Sequence, residues 1–254
     1  MAAEPAVPRR HAAVLACRTG PASGLRRADQ PAAMIGAQLP LAVQLRESAS
    51  FESYYPGPNG DAVQALQSLA VPVLLYGPRG SGRTHLLQAA ARHHRAAYLP
   101  LAELSAHGPS LLEGLEGAPA VCIDDLEQVA AQREWCIALL RLADQLRARG
   151  AGYAFAADAP PERLDLALPD LRTRLGACSR FGLKPLSDEE RRELLRERAR
   201  ARGLDLPDDV GRWIINHRAR DIPSLLEALE RLDRAALAAK RRLTLPFVQS
   251  VLEG

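Results

Sequence analysis

The stretch Val71-Pro-Val-Leu-Leu-Tyr-Gly77-Pro-Arg-Gly-Ser-Gly-Arg-Thr84 decides the fold. Val71–Tyr76 is a short apolar run that reads as a buried strand, and Gly77–Arg83 is glycine-rich. From Thr84 to His93 the sequence is helical, with Leu86, Leu87 and Ala90 apolar. Strand, glycine-rich loop and helix in this order form a phosphate cradle. Glycines let backbone N–H groups curl around phosphate oxygens, and the helix N-terminus adds positive potential. Gly77, Pro78, Arg79, Gly80, Ser81, Gly82, Arg83, Thr84 and His85 are therefore the candidate nucleotide-binding residues, and the motif is that of a P-loop. Arg83 stands where a P-loop has lysine. It keeps the charge, but its planar fork is no substitute for a compact ammonium, so diphosphate binding is expected with slow hydrolysis.

Further along, Val121-Cys-Ile-Asp-Asp125 closes a second buried strand, Ala120–Ile123, about 40 residues after the loop. A buried strand delivering a carboxylate beside a P-loop is what Mg²⁺ coordination requires. Asp124 with the Thr84 hydroxyl is the candidate metal pair, and Asp125 would orient or activate a water. Trp135–Arg149 reads as a helix and Gly152–Ala157 as a third strand, closed by Asp158-Ala-Pro-Pro. Alternating strands and helices predict a parallel sheet covered on both faces: an αβα nucleotide-binding domain over 60–183. After Pro185 no strand signal remains. Ser187 with Glu190 makes a capping box, and further helices begin at Asp208 or Asp209, at Asp221 and around Phe247. Residues 184–254 are thus expected to form a small all-α domain.

Residues 1–36 carry five Arg against Glu4 and Asp29, and the remaining chain balances 28 basic with 28 acidic residues. A basic footprint for DNA is therefore missing from the core. Residues 1–33 lack hydrophobic periodicity and are expected to be disordered, with Met34 as the true start. Cys17, Cys122, Cys136 and Cys178 have no metal-ligand spacing. No apolar run approaches the roughly 18 residues of a membrane span. A cytoplasmic protein without membrane contact fits both features.

Taken together, the two Walker elements, Ala157-Asp158-Ala-Pro-Pro and Leu168-Pro-Asp-Leu-Arg-Thr-Arg-Leu175 resemble the AAA+ module of DnaA. Leu232-Asp-Arg-Ala-Ala-Leu237, Arg242-Leu-Thr-Leu-Pro-Phe-Val248 and Ala37-Gln-Leu-Pro-Leu-Ala42 resemble the Hda family. The resemblance spans 37–254 and implies a P-loop AAA+ αβα sandwich with a C-terminal helical lid. It implies a sensor 1 role for Asp158 and an arginine finger at Arg174, acting in trans. In 37–59 it implies a sliding-clamp peptide at Gln38, Leu39 and Leu41. Phe51, Tyr54 and Asn59 either cup a base or dock the segment on its own domain. Pro223 falls where DnaA-like proteins carry a sensor 2 arginine, which puts the chain's own ATPase in doubt, and Arg220 stands three residues earlier.

The reading this supports is regulatory inactivation of the replication initiator DnaA. An ADP-bound (or ATP-bound) protein with Mg²⁺, anchored on the DNA polymerase III beta sliding clamp and so nucleoid-associated, would stimulate hydrolysis of DnaA-bound ATP. Homo-oligomers are possible, and DNA is met only through the clamp. The rival reading is a self-sufficient ATPase of helicase-loader type; a direct DNA binder fits the neutral core poorly.

Overall fold

The structure, a computed structural model, describes Leu45, 49–217 and 221–253. Its strands are β1 (Val73–Tyr76), β2 (Ala97–Pro100), β3 (Ala120–Asp124), β4 (Gly152–Ala157) and β5 (Ser179–Gly182). Among the described residues they form one parallel sheet in the order β2-β3-β4-β1-β5. Val73, Leu75, Cys122, Ala154 and Ala156 face α1 (Gly60–Ser68) and α2 (Arg83–His94). Their neighbours Leu74, Val121, Ile123, Tyr153 and Phe155 face α4 (Arg133–Ala148) and α5 (Pro169–Gly176). Both faces are dry, which is why the strands read as continuous apolar runs rather than alternating ones. The short α3 (Leu101–Leu104) follows β2 and caps the same side as α4.

Two strands, β2 and β5, go beyond the three expected from sequence. The first strand also starts two residues later than its apolar run. Pro72 has no N–H to give a ladder; its carbonyl accepts from Ser179 N–H at 2.8 Å, and Val71 is exposed. β4 lies between β1 and β3, so the tip of β4 sits between the P-loop strand and the strand that ends in Asp124.

The α-helical domain holds α6 (Asp188–Ala201), α7 (Asp208–His217), α8 (Ile222–Ala239) and α9 (Leu245–Glu253). Leu195, Trp213, Ile214, Leu225, Leu229 and Val248 meet in its core. Local chemistry sets the helix starts. Ser187 Oγ accepts from Glu190 N–H at 3.2 Å, and the Glu190 carboxylate accepts from Ser187 N–H at 2.7 Å. Asp221 caps α8 by accepting from Ser224 N–H at 2.9 Å, with Pro223 in the first turn, where it costs no hydrogen bond.

The two domains are joined at one tight place. Leu183 N–H donates to Tyr76 O at 2.7 Å, extending the β1 ladder past β5. Asn59, 5% exposed, then grips the next residue at two points: its Nδ2 donates to Lys184 O at 3.0 Å and its Oδ1 accepts from Lys184 N–H at 2.9 Å. Upstream, Arg198 of α6 donates to the Ser53 carbonyl at 2.6 Å. Residues 50–59 thus touch both domains. Removing the Asn59 amide leaves the part-buried N–H and C=O of Lys184 without their partner, so Asn59→Ala should cost about 1–3 kcal/mol in urea unfolding. An unchanged urea midpoint would mean that water replaces the amide without loss.

Candidate nucleotide site

The cradle is built from β1, the 77–82 turn and the start of α2. A Cβ on Gly77 would lie 2.6 Å from the Leu183 carbonyl oxygen, a backbone atom that cannot swing away. Gly80 and Gly82 hold left-handed backbone, with φ of 82° and 96°, and a Cβ on Gly82 would lie 2.8 Å from the Tyr54 ring. Pro78, Arg79 and Gly80 are exposed at the turn, whereas Ser81 is buried with no protein partner for its hydroxyl. One guanidinium nitrogen of Arg83 is buried without a hydrogen bond, 3.5 Å from the Glu127 carboxylate. An orphaned hydroxyl in a glycine turn at a helix N-terminus suits an anion, so the residues present fit a nucleotide phosphate.

Asp124 ends β3 fully buried. Its Oδ2 accepts from Tyr98 O–H at 3.1 Å and its Oδ1 from Asp125 N–H at 3.0 Å. Burial, then the charge of Asp124, pushes the Tyr98 phenol well above its ordinary range, so Tyr98 stays a donor to that carboxylate. Asp125 takes the left-handed conformation, φ 58°, which Asp tolerates better than most residues. Its carboxyl is pushed up to about 6, first by burial and then by Asp124 and Glu127, with Arg83 acting the other way. Thr84 sits in the first turn of α2 and could share Mg²⁺ with Asp124. Few protein ligands are needed, because Mg²⁺ keeps waters and phosphate oxygens. His85 is engaged by the upstream segment: its Nε2 lies 3.0 Å from Ser50 O and 3.2 Å from Ser53 Oγ.

The sequence reading missed Glu127. Its Oε1 lies 3.5 Å from Arg83, and its Oε2 accepts from the backbone N–H of Asp158 at 3.1 Å. The turn at Asp125 swings the Leu126–Gln128 3₁₀ helix back across the strand tips, and that non-local effect has no signature in sequence. Asp158 stands exposed just past β4, between the two Walker strands. Arg174 lies in the last turn of α5, where its guanidinium pairs with Asp144 of α4, and its Nε is buried without a partner.

Phe51, Tyr54 and Asn59 pack as a docked segment. Phe51 meets His93 edge-on with centroids 5.6 Å apart, Tyr54 covers Gly82, and Asn59 O and N atoms are spent on Lys184. Gln38, Leu39, Leu41, Met34, Cys17 and Arg220 lie outside the described residues. Cys122, Cys136 and Cys178 are buried free thiols, pushed up by burial, Cys122 to about 12 and Cys178 to about 11. Among the described residues no helix is long and apolar enough to cross a membrane.

Solved structures share the fold. Domain III of the Thermotoga maritima replication initiation protein DnaA superposes with a TM-score of 0.67 at 21% identity, covering 83% of this chain and 98% of that one. AMPPCP-bound DnaA from Aquifex aeolicus gives 0.63 at 19%, covering 76% and 67%. The Thermotoga maritima RuvB Holliday junction branch migration motor gives 0.53 at 18%, covering 83% and 73%. The fold is the AAA+ αβα sandwich with a helical lid. Residues 188–252 match the family model of the Hda lid domain. The chain thus joins an AAA+ fold to a lid similar to that of Hda.

The glycines separate two kinds of cost. Gly77→Ala must push the Leu183 backbone aside and should lower stability by about 1–3 kcal/mol. Gly80→Ala meets open space and carries only the left-handed strain, about 1 kcal/mol. Thermal unfolding of the two variants should rank them in that order. The reverse order would show that Leu183 yields freely.

Proposed function

We propose that this protein inactivates DnaA by stimulating hydrolysis of the ATP that DnaA holds, and so prevents re-initiation of replication. The observation that carries the reading is the Hda-type lid at 188–252. In this reading the Gly77–Thr84 loop holds ADP, with Thr84 and Asp124 able to hold Mg²⁺, which would neutralise phosphate charge. Asp125 and Asp158 face the phosphates as polar groups. The lid position at the head of α8 is Pro223, which supplies no cation, and Arg83 replaces the compact lysine ammonium. Both features suit a protein that keeps its nucleotide and acts on a partner's.

The acting group is Arg174. In the free chain it pairs with Asp144, whose side chain is 48% exposed, and so solvent-screened a pair is worth at most about 1 kcal/mol. Release toward a neighbour's nucleotide is therefore inexpensive, while the transition-state charge it meets there is large. Gln38, Leu39 and Leu41 would seat in apolar pockets of the DNA polymerase III beta sliding clamp as an extended peptide. This tether confines the reaction to DNA already replicated, without direct DNA contact.

The test is the decay of ATP pre-bound to DnaA, followed with and without this protein and DNA-loaded clamp. Wild-type chain should accelerate decay only with the clamp. Arg174→Ala should lose at least about tenfold of that acceleration, and Gln38→Ala should lose the clamp-dependent acceleration as well. No acceleration, combined with robust ATP hydrolysis by the chain alone, would replace this reading with a loader-type ATPase.

A further inference from the structure

We propose that Glu127 makes this site favour a nucleoside diphosphate over a triphosphate. The inference rests on the reading of Gly77–Thr84 as a phosphate loop. In such a site the loop's backbone N–H groups serve the inner phosphates, while the basic side chain at the helix start reaches the outer pair. The outermost phosphate then lies between that basic group and the tips of the strands beside β1. Glu127 already bridges this gap. One carboxylate oxygen faces Arg83 at 3.5 Å and the other accepts from Asp158 N–H at 3.1 Å, at the end of β4.

Three consequences follow for a third phosphate. Its cation is compensated, because Arg83 faces an anion from its own chain. A backbone donor at the strand tip is occupied. And it must approach a fixed negative charge with little water to screen it, since the Arg83 and Glu127 side chains are only 11% and 18% exposed. A diphosphate shares only the first of these, through its outer phosphate; its chain ends at the glycine turn, where Ser81 Oγ stands buried without a partner, and does not reach the strand tip or the Glu127 charge. The left-handed turn at Asp125 leads into the Leu126–Gln128 3₁₀ helix, from which Glu127 is held by its contacts with both Arg83 and the Asp158 N–H.

Charge, more than shape, is what discriminates, and this sets the experiment. Glu127→Gln keeps the size and the acceptor for Asp158 N–H but removes the charge; Glu127→Asp keeps the charge. Full-length wild-type and variant chains are titrated with a fluorescent ADP in Mg²⁺ buffer, and the label is displaced by unlabelled ADP or by AMPPCP, which cannot be hydrolysed. Wild type should favour ADP. Glu127→Gln should narrow that preference about tenfold by tightening AMPPCP, with ADP affinity changed less than about twofold (a tenfold change corresponds to about 1.4 kcal/mol). Glu127→Asp should keep most of the wild-type preference. A Glu127→Gln preference equal to wild type, or equal shifts for both nucleotides, overturns this inference and leaves the phosphate-loop reading intact. Wild-type chain that binds neither nucleotide overturns both.

Discussion

The site depends on the contact between the P-loop and the strand leading to the lid. Leu183 donates to Tyr76, and its carbonyl sits where Gly77 would carry a side chain. One residue later Asn59 holds both polar atoms of the Lys184 backbone. The first glycine of the phosphate loop, the entry to the lid and the upstream segment are therefore fixed against each other within two residues of the ends of β1 and β5. A parallel sheet brings all its strand ends to one edge, and this junction closes that edge into a site.

What is held there is a cluster of charge under strict positional control. Asp124 is fully buried and shielded by two donors. Burial, and then the charges of Asp124 and Glu127, raise the Asp125 carboxyl, while Arg83 offsets them. Such an arrangement sets three carboxylates, Asp124, Asp125 and Glu127, against the one guanidinium of Arg83. It also links the residues functionally: a change at Glu127 alters Arg83, the tip of β4 and Asp125 together. Arg174 lies outside this cluster, on α5, where it pairs with Asp144 of α4.

Legibility from sequence followed the range of the interactions. β1, β3 and β4 are apolar runs cut off by Gly or Asp, and the glycine loop and Asp124 are local patterns, so these parts could be read directly. The lid helices declare themselves through their caps at Ser187 and Asp221. β2 is four residues, Ala97–Pro100, ending in a proline after a polar helix end, and β5 is Ser179–Gly182, alternately exposed as an edge strand. Neither carries enough apolar signal to be distinguished from a loop. Glu127 and the Asn59–Lys184 pair were hidden for another reason. The first depends on a left-handed turn at a non-glycine residue, the second on partners 125 residues apart.

The segment from Ser50 to Asn59 has a mechanical consequence. Ser50 and Ser53 are fastened to His85 on the P-loop helix, the Ser53 carbonyl to Arg198 on the lid, Tyr54 lies over Gly82, and Asn59 holds the hinge. A load applied through the chain ahead of Ser50 does not enter the sheet or the lid separately. It is delivered to the point where they meet, so tension on that leader is shared between the phosphate loop and the lid as between two arms of a balance.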